Sequence, residues 1–254
     1  MLRRCLIALY YCRPQRSYAV FRFLVTVFLL FRRRRRWLLW RPLSPDVLVE
    51  NIRSLGASFL KLAQVLATRA DFFDPDYLQA LKQLHDKMPA MSHKLQQRAF
   101  KRSFPDPDVF LEFDDQPLAS ASIGQVHKAR LRESGDLVAV KLLRENIQFK
   151  VRIDILLLNF FLRIFRPLFT DQTRHSIESV LRAFTQVILQ EVSMLQELSN
   201  LEHFSQVYAD AGVRFPVPYK SYCSDTALVM SFEEGARFDD VEAISKLKVP
   251  FRQL

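Results

Sequence analysis

Read by its hydrophobic and polar positions, the chain divides into stretches of different period. Ala19 to Phe31 (AVFRFLVTVFLLF) is an apolar run with Arg22 inside it, about 20 Å long as a helix. From Pro45 to Gln97 apolar residues fall at 48, 52, 55, 59, 62, 66 and 69 to 73, the three-and-four spacing of amphipathic helices. Asp74-Pro75 starts one helix over Asp76 to Leu84, Met88-Pro89 ends it, and Ser92 opens another over His93 to Phe100 before Pro105 and Pro107 break the chain. At Val109 the period falls to two. Strands are predicted over Phe110 to Phe113, Gln125 to Arg132 and Leu137 to Leu143, the last two joined by Glu133 to Asp136 as an antiparallel hairpin. Between the first two lies PLASASIG (Pro117 to Gly124), small and flexible. Helical periodicity returns over Ile147 to Phe169, where Lys150, Arg152, Asp154, Arg163 and Arg166 argue for a buried amphipathic helix over a membrane span. A further long helix is expected from Thr173 to Tyr208, followed by strands at Phe215 to Lys220 and Thr226 to Phe232. The pattern predicts an α+β fold: an antiparallel five-stranded sheet and a long helix, preceded by a helical extension.

Charge divides the chain further. Of the 37 Lys and Arg, 11 arginines stand in the first 45 residues, where no acid occurs before Asp46. The net charge of +10 therefore resolves into +11 on the head and −1 on the rest. A nearly neutral body argues against nucleic-acid binding, which needs its basic excess on the folded face that meets phosphate. The apolar run of the head is too short to span a bilayer core of about 30 Å, and extending it to Trp37 and Trp40 would bury Arg32 to Arg36. An interfacial helix on an anionic membrane is expected instead, with Phe21, Phe23, Leu24, Phe28, Leu30 and Phe31 in the acyl boundary and the arginines among headgroups. A secretory signal fits less well, because CLIALYYC is short and lacks a small-residue cleavage site. Cys5, Cys12 and Cys223 offer neither a disulfide framework nor metal-ligand spacing, and no two of His85, His93, His127, His175 and His203 share a metal-like spacing. The expectation is a protein of a reducing compartment, cytoplasmic and peripherally membrane-associated, with no metal site of its own. Three parts follow: a basic head (1–45), a helical extension (46–108) and a domain over 109–254 with a helical insert at about 145–170.

The order of the elements also carries chemistry. A small-residue loop lets backbone N–H groups approach phosphate oxygens, a strand lysine in VAVK, Lys141, reaches the same phosphates, and a glutamate on the following helix orients that lysine. This is the N-lobe plan of a protein kinase, with alanine and serine where ordinary kinases use glycine. Residue by residue the chain resembles the UbiB family of atypical protein-kinase-like proteins. SLGASFLKLAQVLATRADFFDPDYLQALKQLHDKMP (54 to 89) is similar to the family's Lys-x-Gly-Gln region, which places Lys61, Gln64, Arg69 and Asp71 on family positions. PLASASIGQVHKA (117 to 129) resembles the alanine-rich nucleotide loop, VAVK (138 to 141) the phosphate-lysine strand, EVSMLQELSNLEHF (191 to 204) the Glu-x-Asp helix, and ALVMSFEEG (227 to 235) the strand into the hinge.

The resemblance implies a kinase-like N-lobe that binds ATP through Ala119, Ser120, Ala121, Ser122, Ile123, Gly124 and Gln125, with Gln64 and Glu191 nearby. Lys141, its expected partner Glu197, and Lys61 would be the catalytic positions. It also implies a role in ubiquinone biosynthesis, with proteins or lipids of that pathway as partners. Three departures stand out: Ala63 replaces a motif glycine, Ser193 replaces the acid of Glu-x-Asp, and no His-x-Asp with a following Asn and no Asp-Phe-Gly occurs. The sequence is expected to be a truncated N-terminal part whose C-lobe, or a complementing chain, would bring magnesium ligands and the base. Two other readings are a catalytically inactive membrane-surface scaffold, and an ordinary α+β domain in which Lys141 and Glu197 form a surface pair.

Overall fold

The structure is a computed structural model, and it describes residues 14–31, 39–68, 73–82, 84, 88–235 and 244–245. Arg69, Asp71, His85, Trp37 and the arginines at 32–36 lie outside the described residues.

Among the described residues, four helices come first: α1 (Pro14–Phe31), α2 (Pro45–Leu55), α3 (Ala57–Ala67) and α4 (Pro75–Lys82). Proline at the first turn of α2 costs no hydrogen bond. Gly56 then ends α2 and starts α3 at φ 90°, a backbone setting that favours glycine. The helix α5 (His93–Ser103) leads into the sheet: β1 (Phe110–Phe113), β2 (Ala119–Ser120), β3 (Gly124–Leu131), β4 (Leu137–Leu143) and, later, β5 (Ala227–Ser231). Its order is β1-β3-β4-β5, all antiparallel, with β2 also paired to β3. The β3–β4 hairpin forms where expected, with Gly135 supplying φ 72° at its turn and Val126 opposite Lys141. Between β4 and β5 come α6 (Ile147–Phe165), α7 (Asp171–Glu191) and α8 (Met194–Val207).

The sheet separates two cores. One face buries Phe104, Phe110, Leu131, Val138, Val140 and Leu142 beside α5. The other joins Ile123, Leu143 and Leu228 to a helical core that takes in α1, α2, α3, α6 and α7.

Some expectations need correction. The long helix over Thr173 to Tyr208 is two helices, because Ser193 leaves helical geometry and its hydroxyl accepts the Gln196 N–H at 3.2 Å, capping α8. Phe215 to Lys220 forms no strand: Pro216 and Pro218 have no N–H to give a ladder, and only an isolated bridge from Pro218 to Met230 survives. The fifth strand is instead β2, inside the segment expected to be an open loop.

A further correction concerns the head. Phe23, Phe28 and Leu30 are buried inside the protein, while Phe21, Leu24 and Phe31 are partly buried, so this apolar face is not spare for an acyl boundary. Phe23 meets Phe59 of α3 edge-on at 5.4 Å, and Phe28 stacks on Phe165 of α6 at 5.9 Å. Burial within protein serves these side chains as well as a membrane would. Residues 14–31 are thus part of the body. Among the described residues no helix is long and apolar enough to cross a membrane.

Candidate functional site

Lys141 points from the centre of the sheet, and the pairing of β4 with β3 and β5 fixes its face. The turn at Val192 and Ser193 restarts the helix so that Glu197 falls in the first turn of α8. There both carboxylate oxygens accept from the lysine ammonium, Oε1 at 2.5 Å and Oε2 at 2.8 Å. A second pair lies close by: Lys61 of α3 meets Glu191, the last residue of α7, at 3.0 Å. Both pairs line one cleft of about 400 Å³ with Ala121, Ser122, Ile123 and Asn200. Lys61, Lys141, Glu191 and Glu197, drawn from four elements, therefore converge on one cleft.

The loop contributes unevenly. Ala121 donates its N–H to the Gly124 carbonyl at 2.9 Å, so that group closes the loop's own turn. Ser122 is buried, lines the cleft, and its hydroxyl has no partner. Oε2 of Glu191 is likewise buried without a partner. Orphaned buried polar atoms at a cleft wall cost free energy unless something fills it.

Gly124 has a different reason to be glycine than phosphate approach. A Cβ there would stand 2.6 Å from the Leu142 carbonyl oxygen, so β3 and β4 could not pair as closely. Gln125 falls outside the site, because it sits opposite Leu142 in the ladder and its side chain shares the face of Leu142, away from Lys141. Gln64, one turn beyond Lys61, does not line the cleft, and neither do Ala119 and Ser120.

One contributor escaped the sequence reading. Arg144, just past β4, donates from Nε to the Ala121 carbonyl at 3.1 Å and from Nη2 to the Ser120 hydroxyl at 2.9 Å and the Pro89 carbonyl at 2.7 Å. Its half-buried guanidinium binds the loop to Pro89, inside the helical extension. The only signal was a charge three residues after Lys141, indistinguishable from a solvated strand end.

In chemical terms the cleft offers two ammonium groups, each steadied by a carboxylate, beside a small-residue loop. Its size lies in the range of about 300 to 1,000 Å³ usual for small-molecule sites, and cationic donors with an unpartnered hydroxyl suit a phosphate-bearing ligand. Among the described residues no group of three or more His, Cys, Asp or Glu side chains could hold a metal ion.

The model of the ABC1 atypical kinase-like domain matches residues 83–254. A probable protein kinase UbiB of Klebsiella pneumoniae is 32% identical over 221 residues, 83% of this chain and 40% of its own length. The corresponding protein of Tolumonas auensis is 30% identical over 223 residues, 85% of this chain and 40% of its own. The chloroplastic Protein ACTIVITY OF BC1 COMPLEX KINASE 3 of Arabidopsis thaliana is 33% identical over 193 residues, 75% of this chain and 27% of its own. A solved structure, that of Rv3197 with erythromycin from Mycobacterium tuberculosis, aligns with 75% of this chain and 48% of its own at 22% identity, with a TM-score of 0.49. The chain thus spans about two fifths of the UbiB relatives it matches.

Proposed function

The chain belongs to the UbiB family of ABC1 atypical kinase-like proteins, and from that premise we propose that its cleft is the ATP-binding part of an atypical kinase or ATPase that supports ubiquinone biosynthesis at a membrane. The observation that carries the reading is the two-pronged Lys141–Glu197 pair at 2.5 and 2.8 Å on the wall of the cleft. A strand lysine held this way is aimed before any ligand arrives, so little ordering remains for binding to impose. When bound, ATP supplies the transferable phosphoryl group. Lys141 binds its phosphates, Glu197 orients Lys141, Ser122 offers a hydroxyl from the loop, and Arg144 keeps the loop in shape from behind. Lys61 brings a second positive charge, held at 3.0 Å by Glu191.

Turnover needs a base and metal-holding carboxylates. The 254 residues contain no His-x-Asp with a following Asn and no Asp-Phe-Gly. In this proposal the lobe holds nucleotide, and a C-lobe, in the same polypeptide or a partner, completes the site with magnesium. The arginine-rich head, whose run Arg32 to Arg36 has no acid near it in sequence, is proposed to hold the protein against an anionic membrane.

Equilibrium titration with a fluorescent ATP analogue tests the nucleotide reading. Binding should be saturable, competed by ATP, and lost in Lys141→Ala. Saturable binding that survives Lys141→Ala would show that the lysine is not at the phosphates. No binding at all would favour a scaffold that has kept the lobe without the ligand.

A further inference from the structure

The inner face of α6 is consumed by packing, with Val151, Asp154, Leu158 and Phe165 buried. Its outer face is not wholly polar: beside the exposed Arg152, Asn159 and Arg163 it carries large apolar side chains. Leu156, Phe160 and Ile164, spaced by four, are 68%, 58% and 55% exposed. Beside this stripe a groove of about 820 Å³ runs between α6 and α7, walled by Leu156, Phe160 and Leu181 and by three arginines, Arg163, Arg166 and Arg182. Glu178 is the single carboxylate on its wall, and it faces Arg182 at 4.0 Å. Among the described residues no carboxylate pairs with Arg163 or Arg166.

This end of the helical body is also where the head arrives. Phe28 of α1 stacks on Phe165 at 5.9 Å and meets Phe169 at 5.2 Å. Phe31 is then followed in sequence by Arg32 to Arg36. The part of α1 that precedes the arginine run thus packs against the end of α6 that carries Arg163, with Arg166 next in the chain.

We propose that the groove between α6 and α7 is a second membrane contact, in which Arg163 and Arg166 take the phosphate of an anionic phospholipid headgroup while Leu156, Phe160 and Ile164 enter the acyl boundary. The proposal rests on the reading of the head as a membrane contact and extends it to the folded body. Unpaired guanidinium groups flanking a large apolar stripe complement a surface that is anionic above and apolar below. A nucleic acid would match the charge and leave the stripe in water. An acidic protein segment is the competing occupant, and the experiment separates the two.

Cosedimentation of the full chain with phosphatidylcholine vesicles, with and without phosphatidylglycerol, reads the contact. The proposal expects binding that requires phosphatidylglycerol, and a partition coefficient that falls on the order of 30-fold in Arg163→Gln/Arg166→Gln. Both arginines are exposed, so an unchanged melting temperature should accompany the loss. Phe160→Trp, in a Trp37→Phe/Trp40→Phe background, should shift its emission to the blue on adding the anionic vesicles. If the double arginine variant binds like the parent while glutamines at 32–36 abolish binding, the head reading stands and the groove is overturned. If the parent binds no anionic vesicle, the head reading itself fails and the groove with it. Absence of the blue shift in Phe160→Trp would overturn insertion of the stripe, and the membrane reading of the groove with it.

Discussion

At the scale of single residues, the role proposed for the Lys141–Glu197 pair is recognition, because the pair can add little to stability. The side chains are 21% and 37% exposed, a setting in which ion pairs are worth about 0 to 1 kcal/mol. Lys141→Ala should therefore lower the unfolding free energy by less than about 1 kcal/mol in urea while removing nucleotide binding. Gly124→Ala should do the opposite at its own site: a Cβ 2.6 Å from the Leu142 carbonyl forces β3 from β4, at a cost of about 1 to 3 kcal/mol by the same urea measurement. His127 makes a pH-dependent contribution. Its ring is buried, Nδ1 lies 2.9 Å from the Asp114 carbonyl, and Nε2 has no partner. Burial lowers its pKa from the usual 6.5, against the raising influence of the Asp114 carbonyl and of Asp114 and Asp115. Below pH 6.5 the unfolded chain takes up a proton that the folded chain refuses, so stability falls as pH drops through 6.5 and levels off once the lowered folded pKa is passed. Thermal melts across that window should show the slope, and His127→Leu should flatten it. The absence of a metal-like spacing leaves this histidine a structural role, but its burial comes from the register with Val140, which only tertiary pairing sets.

At the scale of elements, the break between α7 and α8 decides where Glu197 stands. The Ser193 cap starts α8 anew and places Glu197 in its first turn, where it reaches Lys141. Ser193→Ala should cost about 1 kcal/mol, and Ser193→Asp, itself a good cap, should cost little; denaturant unfolding distinguishes them. The sequence aligned Ser193 with an acid, and an acid and a serine cap a helix equally well, which is why the motif was legible and the break was not. Periodicity located β1, β3, β4 and β5 because half-buried strands alternate by necessity. It misread Phe215 to Lys220, where apolar residues alternate with Pro216 and Pro218 and the alternation carries no ladder. Arg144 was invisible for a related reason: its partners are the carbonyls of Ala121 and Pro89, which no side-chain pattern reveals.

For the molecule as a whole, the head shows the limit of reading an apolar run by itself. Phe23, Phe28 and Leu30 could satisfy either a lipid boundary or a protein interior, and the choice depended on the apolar faces of α3 and α6 that stood ready to receive them. The order of loop, strand lysine and helix glutamate, by contrast, survived into three dimensions because each motif sits on an element whose place the sheet dictates. The central claim is that the cleft between Lys61, Lys141 and the loop at 121–123 holds a nucleotide. Amide hydrogen exchange with and without ATP tests it most directly. Slower exchange confined to residues 120–124, the Lys141 strand and the first turns of α8, and absent in Lys141→Ala, is the predicted result. Unchanged exchange there at ATP concentrations that saturate any binding, or protection confined to α6 and α7, would contradict it.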